Sequence, residues 1–306
     1  MLKKVKTSLR NILMPQKRLI ILNYHQVSKK FDPQFNHQNI WLDAKLFEEQ
    51  LKQLASNYCV LPLPVAIKKL QNKEINQPTL ALTFDDGDIS VQHTIVPLLE
   101  KYKIPATFFI NSAYLDSNKS YWFVLDYYIQ NNHELRKKIT PKYTEAINNI
   151  RRTDSPKKYR EYRAIIESLQ DLIPNDVRFH VSYDFLENLN PDLFSVGLHG
   201  HEHQRYSMMS NNWKKENLIK NIAILKNLPT YFNGFAIPFG SPIDWDASSV
   251  EIAKELNLHF FLATKGYNTK YSNILFRDSL DATSIEAFLE SQSPIANRYK
   301  KLNGIY

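Results

Sequence analysis

The sequence predicts an α/β fold of parallel βα units arranged as a (β/α) barrel, and three observations predict it. Short apolar, β-branched runs alternate with stretches whose apolar residues recur at helical spacing. Run after run stops at a chemically capable group: His25, Asp85 with Asp86, Asn111, His199, and the turn Pro238-Phe-Gly240. In a (β/α) barrel the carboxyl ends of all strands converge on one face, where chemistry is done. Glycine is also scarce: of seven, five (Gly87, Gly197, Gly200, Gly234 and Gly240) lie beside these strand ends. Each is expected to mark a special backbone angle or a close approach.

In chain order, Leu19–Tyr24 is the first expected strand, ended by His25. Asp43 is placed to cap a helix in which Phe47, Leu51 and Leu54 share one face. A second helix around Val65–Leu70 leads to the strand Thr79–Thr83, which stops abruptly at two carboxylates and Gly87. A helix over 94–102 turns Leu98 and Leu99 inward, and Pro105–Ile110 follows as a strand ended by Asn111.

Residues 121–190 differ in character. Trp122, Leu125, Tyr128 and Ile129, then Tyr162, Ile165, Ile166 and Leu169, recur at helical spacing around a charged stretch. They predict a helical insertion covering one end of the domain. Strands resume at 193–198, ended by His199, then at 231–237, 259–263 and 274–276, with helices over 212–225 and 248–256 between them. The last strand ends near Arg277 and Asp278. Residues 1–306 are expected to form a single domain carrying a basic segment at 1–18 and the insertion at 121–190.

An apolar fraction of 43% with 23% charged residues is ordinary for a globular protein with a sizeable core. One cysteine, Cys59, excludes an internal disulfide and any cysteine-based metal site. No stretch approaches the roughly 20 apolar residues needed to span a bilayer. The apolar run Leu19–Leu22 after the basic start is too short for a signal-peptide core, so the expectation is a cytoplasmic chain. The charge of +8 is uneven. Residues 1–18 carry six basic side chains and no acid, and residues 136–178 carry eleven basic against six acidic. Such patches suit anionic lipid at the inner face of a membrane or a phosphate-bearing substrate, or are simply solvated faces. No nucleic-acid partner is expected, and the oligomeric state is left open.

Adjacent strand residues point to opposite faces, so Asp85 and Asp86 can share one site only where the strand is ending. Buried as ions they need a metal, a hydrogen-bond network or water. His199-Gly-His-Glu-His203 is the second constellation, and three alternating histidines after a buried strand favour a metal site. A zincin helix motif fails because Arg205 stands in place of its second histidine, and a deaminase site fails for want of cysteines.

Thr83-Phe-Asp-Asp-Gly87, His199-x-x-x-His203 and Phe235-Ala-Ile-Pro-Phe-Gly240 resemble the first three motifs of the polysaccharide deacetylase (NodB-like) family of carbohydrate esterases. Further similarity covers Asn23-Tyr-His-Gln-Val27, the helix around Phe47–Leu54, and Pro105-Ala-Thr-Phe-Phe109. The resemblance spans roughly residues 19–120 and 193–290, with the insertion outside it. It implies a distorted (β/α) barrel of about seven strands. It also implies a divalent metal on Asp86, His199 and His203, zinc first, with cobalt, nickel or manganese as alternatives. Asp85 would be the general base for the attacking water, and the Phe239–Gly240 turn would hold the oxyanion through a backbone N–H.

The family's usual acid is a histidine on a late strand, and this sequence has Ile274-Leu-Phe-Arg-Asp278 there instead. Some members carry the equivalent strand first in the chain, and His25 fits that arrangement as the acid. Ala236 stands where an arginine often orients the base, so Arg277 or Asp278 is expected to compensate. Gly200 replaces the common serine or threonine after the first ligand histidine, a change expected to be mild.

The leading expectation is a metal-dependent hydrolase that removes N-acetyl groups from a surface glycan or a lipid-linked sugar precursor. The alternatives are a catalytically impaired glycan-binding protein of the same fold and a metal-dependent phosphohydrolase.

Overall fold

The computed structural model describes residues 17–262 and 266–280. Most of the basic segment and Ala263 therefore lie outside the described residues. The strands are β1 (Leu19–Tyr24), β2 (Gln26–Ser28), β3 (Trp41–Asp43), β4 (Cys59–Val60), β5 (Thr79–Phe84), β6 (Ala106–Ile110), β7 (Phe194–Leu198), β8 (Tyr231–Ala236), β9 (His259–Leu262), β10 (Ile274–Phe276) and β11 (Asp278–Ser279).

The main sheet runs β10-β9-β8-β7-β6-β5-β1-β11, with β4 pairing β5 off this path, and its ladders are parallel. Its two ends, β10 and β11, are consecutive in the chain and separated by Arg277 alone. One interrupted strand thus pairs with β9 on one side and β1 on the other, and the sheet curls into a nearly closed barrel. Counting β10 and β11 as one strand, the wall has the seven expected. The small β2–β3 pair and β11, with three residues or fewer in each strand, were not expected from the sequence. Strands this short carry too few residues to show a periodicity.

The strands are buried on both faces, as parallel strands under helices must be. Leu19, Ile21, Ala81, Phe109, Ala236, Phe261 and Leu275 cluster with the helix Leu63–Gln71. The alternate residues, among them Ile20, Leu22, Leu82, Phe108 and Phe260, pack with the flanking helices. Asp43 caps the helix Ala44–Asn57 by accepting from Lys45 and Leu46 N–H, and Phe47, Leu51 and Leu54 are its buried face. The helix expected over 94–102 is Val96–Tyr102, entered through a π-turn at Val91–Ile95; Leu99 is buried and Leu98 only half so.

The stretch 121–190 is helical, at Trp122–Asn131, His133–Arg136, Pro141–Asn149, Pro156–Glu167 and Tyr183–Glu187. Thr140 and Ser155 cap two of these helices, each with proline in the first turn. Leu125, Ile129, Tyr143, Ala146, Ile150 and Tyr159 make a second apolar core, which meets the barrel at Met208, Met209 and Phe239. No helix among the described residues is long and apolar enough to cross a membrane.

Candidate active site

The predicted groups do meet at the carboxyl ends of the strands. His25 follows β1, Asp85 and Asp86 follow β5, His199 follows β7, Phe239 lies just past β8, and all of them with His203 line one cavity of about 580 Å³. The turn after β5 holds Asp86 at φ +75° and Gly87 at φ +68°, which is how two successive carboxylates come to face the same site. Asn111 braces the neighbouring turn by donating from Nδ2 to the carbonyls of His199 and Gly200.

Asp85 is gripped by Arg277. Nη1 reaches Oδ1 and Nη2 reaches Oδ2, both at 2.7 Å, and the arginine is fully buried. Nη1 also donates to Asn23 Oδ1 and Thr83 Oγ1, and the guanidinium lies over the Phe109 ring. Burial alone would raise the Asp85 carboxyl, but the Arg277 guanidinium, with His199 and His25, outweighs it and the group sits below its ordinary range. Arg277 is thus the compensating residue for Ala236. Asp278, the other candidate, accepts from Gly266 N–H instead. Position 236 contributes its backbone: the Ala236 carbonyl accepts from His199 Nδ1 at 2.8 Å.

The residues present fit a divalent cation. Asp86 Oδ1 lies 3.2 Å from Nε2 of both His199 and His203, and the three possible ligand atoms fall within 4.8 Å of one another. Ligands about 2.0–2.1 Å from a tetrahedral ion would stand roughly 3.3 Å apart. The proton inventory points the same way. A carbonyl can only accept, so His199 Nδ1 carries the proton and a neutral ring turns the lone pair of Nε2 toward Asp86. Asp86 Oδ1 is buried without a hydrogen-bond partner. Acceptors facing one another in the dark of a core repel unless a cation lies between them.

His203 is fixed differently. Its Nδ1 is buried with no hydrogen-bond partner, and aromatic rings hold the imidazole in place. Tyr121 stacks on it at 4.5 Å, Phe239 meets it edge-on at 4.5 Å, and Phe123 packs at 5.3 Å. His201, between the two ligand candidates, points away: its Nδ1 is 3.0 Å from Ser112 Oγ, outside the cluster. Gly200 needs its glycine, with φ +78° and the Tyr206 hydroxyl 2.9 Å from where a Cβ would sit.

At the turn expected to hold the oxyanion, Phe239 has φ +64°. Gly240 N–H is engaged with the Pro238 carbonyl at 2.8 Å, whereas Phe239 N–H has no hydrogen-bond partner among the described residues. Of the two positions expected to hold the oxyanion, Phe239 is therefore the free donor.

The sequence allowed the insertion to form part of the substrate cleft without singling out the residues that do so. Trp122, Phe123, Tyr127 and Arg151, all from the insertion, line the cavity with His37. Trp122, placed by its helical spacing, belongs both to the second core and to this lining. The run Tyr121-Trp-Phe123 at the start of the insertion was the available signal.

A parallel barrel bearing a buried carboxylate–imidazole cluster beside an arginine-held carboxylate fits a hydrolase. Residues 72–261, more than half of the chain, match the family model described as polysaccharide deacetylase, and the chain belongs to that family of carbohydrate N-deacetylases. Among solved structures it is similar to the Streptococcus pyogenes deacetylase PplD in complex with acetate, at 18% identity and TM-score 0.57, covering 92% of this chain and 100% of that one. It is also similar to IcaB from Ammonifex degensii, at 17% identity and TM-score 0.62, covering 90% and 97%. A third is the de-N-acetylase from Aggregatibacter actinomycetemcomitans, at 16% and 0.57, covering 89% and 99%. At these identities the likeness is one of fold. No curated protein matches the sequence.

Proposed function

We propose that the protein is a metal-dependent hydrolase that removes N-acetyl groups from the amino sugars of a surface polysaccharide or its lipid-linked precursor. The observation that carries this reading is the pair of neighbouring carboxylates put to different uses: Asp85 held by Arg277, Asp86 held between two imidazoles.

Asp86, His199 and His203 would hold the ion, zinc first among the candidates, with cobalt, nickel or manganese as alternatives. When bound, it supplies Lewis-acid polarisation of the acyl carbonyl and of the attacking water. The remaining work falls to the chain. Asp85 takes the proton of the attacking water, and the bidentate guanidinium keeps the carboxylate ionised and correctly turned. Phe239 N–H meets the oxygen on which charge develops. His25, which lines the same cavity, protonates the leaving amine so that the carbon–nitrogen bond can break. Phe123, half-buried in the cavity wall, offers an apolar face for a sugar ring.

An impaired glycan-binding protein was motivated by Ala236 and by the missing late histidine. Arg277 and His25 answer both points from other strands. The test is acetate release from N-acetylhexosamine oligomers by purified protein given zinc, cobalt or manganese, beside Asp85→Asn. Release abolished by the substitution supports the reading. Glycan binding without release, or phosphate release from sugar phosphates, would overturn it.

A further inference from the structure

The cavity contains one cation whose role the deacetylation chemistry does not use. Arg151 follows the insertion helix Pro141–Asn149 and lines the site. Its guanidinium lies over the Phe239 ring at 4.5 Å and over Trp122 at 5.7 Å. Its backbone is tied down, since Arg205 Nη1 donates to the carbonyls of Arg151 and Thr153. Among the described residues its side chain makes no ion pair and donates no hydrogen bond.

The acids of the same cavity are all otherwise engaged. Asp85 is neutralised by Arg277, and Asp244 is 3.1 Å from Arg205 Nε. Asp86 belongs to the cation cluster. Asp126 accepts from the Tyr143 hydroxyl at 2.9 Å, and burial raises its carboxyl toward the neutral form. Arg151 is left without an ion-pair partner of its own among the described residues, Asp244 acting on it only from a distance. A guanidinium held over aromatic rings without a hydrogen bond of its own keeps its N–H groups available, and their fork matches an oxyanion bidentately. The ring it rests on belongs to the residue whose N–H faces the reacting carbonyl. A partner group must therefore sit on the reacting sugar or directly beside it.

We infer that Arg151 selects substrates in which the N-acetylated sugar carries an adjacent anionic group, a phosphate or a carboxylate. This rests on the deacetylase reading for the identity of the sugar. It places the specificity determinant in the insertion, outside the motifs that carry the chemistry.

The experiment is calorimetric binding to the zinc-loaded Asp85→Asn protein, which prevents turnover. The probes are N-acetylglucosamine 1-phosphate, N-acetylmuramic acid and the uncharged methyl N-acetylglucosaminide. The expected result is binding of at least one anionic sugar tenfold or more tighter than the neutral one. The better of the two identifies the anion as phosphate or carboxylate. Adding Arg151→Gln should collapse that ratio toward one, with Arg151→Lys intermediate because it keeps the charge and loses the fork. Equal binding of all three sugars overturns the inference, as does a preference that survives Arg151→Gln. Acetate release by the unsubstituted enzyme is measured separately. Its absence alongside an intact anion preference would sink the deacetylase reading and leave anion recognition standing.

Discussion

Arg277 and Asp85 are joined by two parallel hydrogen bonds of 2.7 Å, and the arginine is the residue at which the barrel closes. The two facts are linked. The strand Ile274–Ser279 changes partner at Arg277, from β9 to β1, and that is where its side chain comes to share Asp85 with Asn23 and Thr83. The orientation of Asp85, the proposed base, is thereby built into the closure of the sheet.

Replacing Arg277 by Gln should lower kcat by about a hundredfold or more with little change in KM, because it loosens the reacting group rather than the substrate. It leaves Asp85 as a buried charge without its partner, so thermal unfolding should also show a loss of about 3 kcal/mol. A variant that keeps full kcat would show that Asp85 needs no such clamp.

The same substitution should move the pH profile. Burial raises the Asp85 carboxyl, and Arg277 leads the groups that lower it, with His199 and His25. Without the guanidinium the largest opposing influence is gone and the carboxyl rises. With Asp85 acting as the carboxylate in the proposed reaction, the acid limb of kcat/KM should shift to higher pH in Arg277→Gln. The sign for stability agrees: a depressed carboxyl contributes stability above its unfolded value and loses it as pH falls through the folded one. An unmoved acid limb would assign that limb to another group.

Much of this was legible in the sequence because strand ends are punctuated. The apolar runs stop at His25, Asp85, Asn111 and His199, and the structure ends β1, β5, β6 and β7 within a residue of each. Strand alternation and histidine spacing pointed to a metal site near the two carboxylates, and the particular set Asp86, His199 and His203 was what the family resemblance implied. What stayed hidden depends on contacts distant in the chain. Arg151 and Tyr121 look like ordinary insertion residues until the fold lays them against Phe239 and His203. The β10–β11 break was hidden too, since two and three residues carry no period.

His180 gives a separate handle on the insertion. It is buried, its Nε2 is 2.8 Å from Ser120 Oγ, and burial lowers its pKa to about 4. The unfolded chain protonates near pH 6.5 and the folded one only near 4, so stability is full above 6.5 and falls as pH drops through that window. The loss assignable to this residue reaches about 3 kcal/mol at the acid end. Urea midpoints measured from pH 7 to pH 4 should therefore fall, and His180→Asn should flatten that fall. An equal slope in the variant would assign the acid sensitivity elsewhere.

Metal affinity should depend on Tyr121 chiefly through its ring on His203, beside a hydroxyl that interacts with Asp86. A ligand histidine is ordinarily turned by a hydrogen bond at its second nitrogen, and loss of such a partner typically costs about 10–100-fold in affinity. His199 has one, to the Ala236 carbonyl, and His203 has none. The stacked ring of Tyr121 and the edge-on ring of Phe239 stand in its place. Tyr121→Ala should therefore weaken zinc binding by about tenfold or more, read by competition with a chelator dye. Tyr121→Phe keeps the ring and should bind zinc within a few-fold of the unsubstituted protein. If Tyr121→Phe fails as badly as Tyr121→Ala, the hydroxyl and not the stack is what holds His203, and the aromatic account of that ligand is wrong. Chelator treatment should abolish acetate release in both variants and in the parent, with recovery on adding zinc, since all keep Asp86 and both imidazoles.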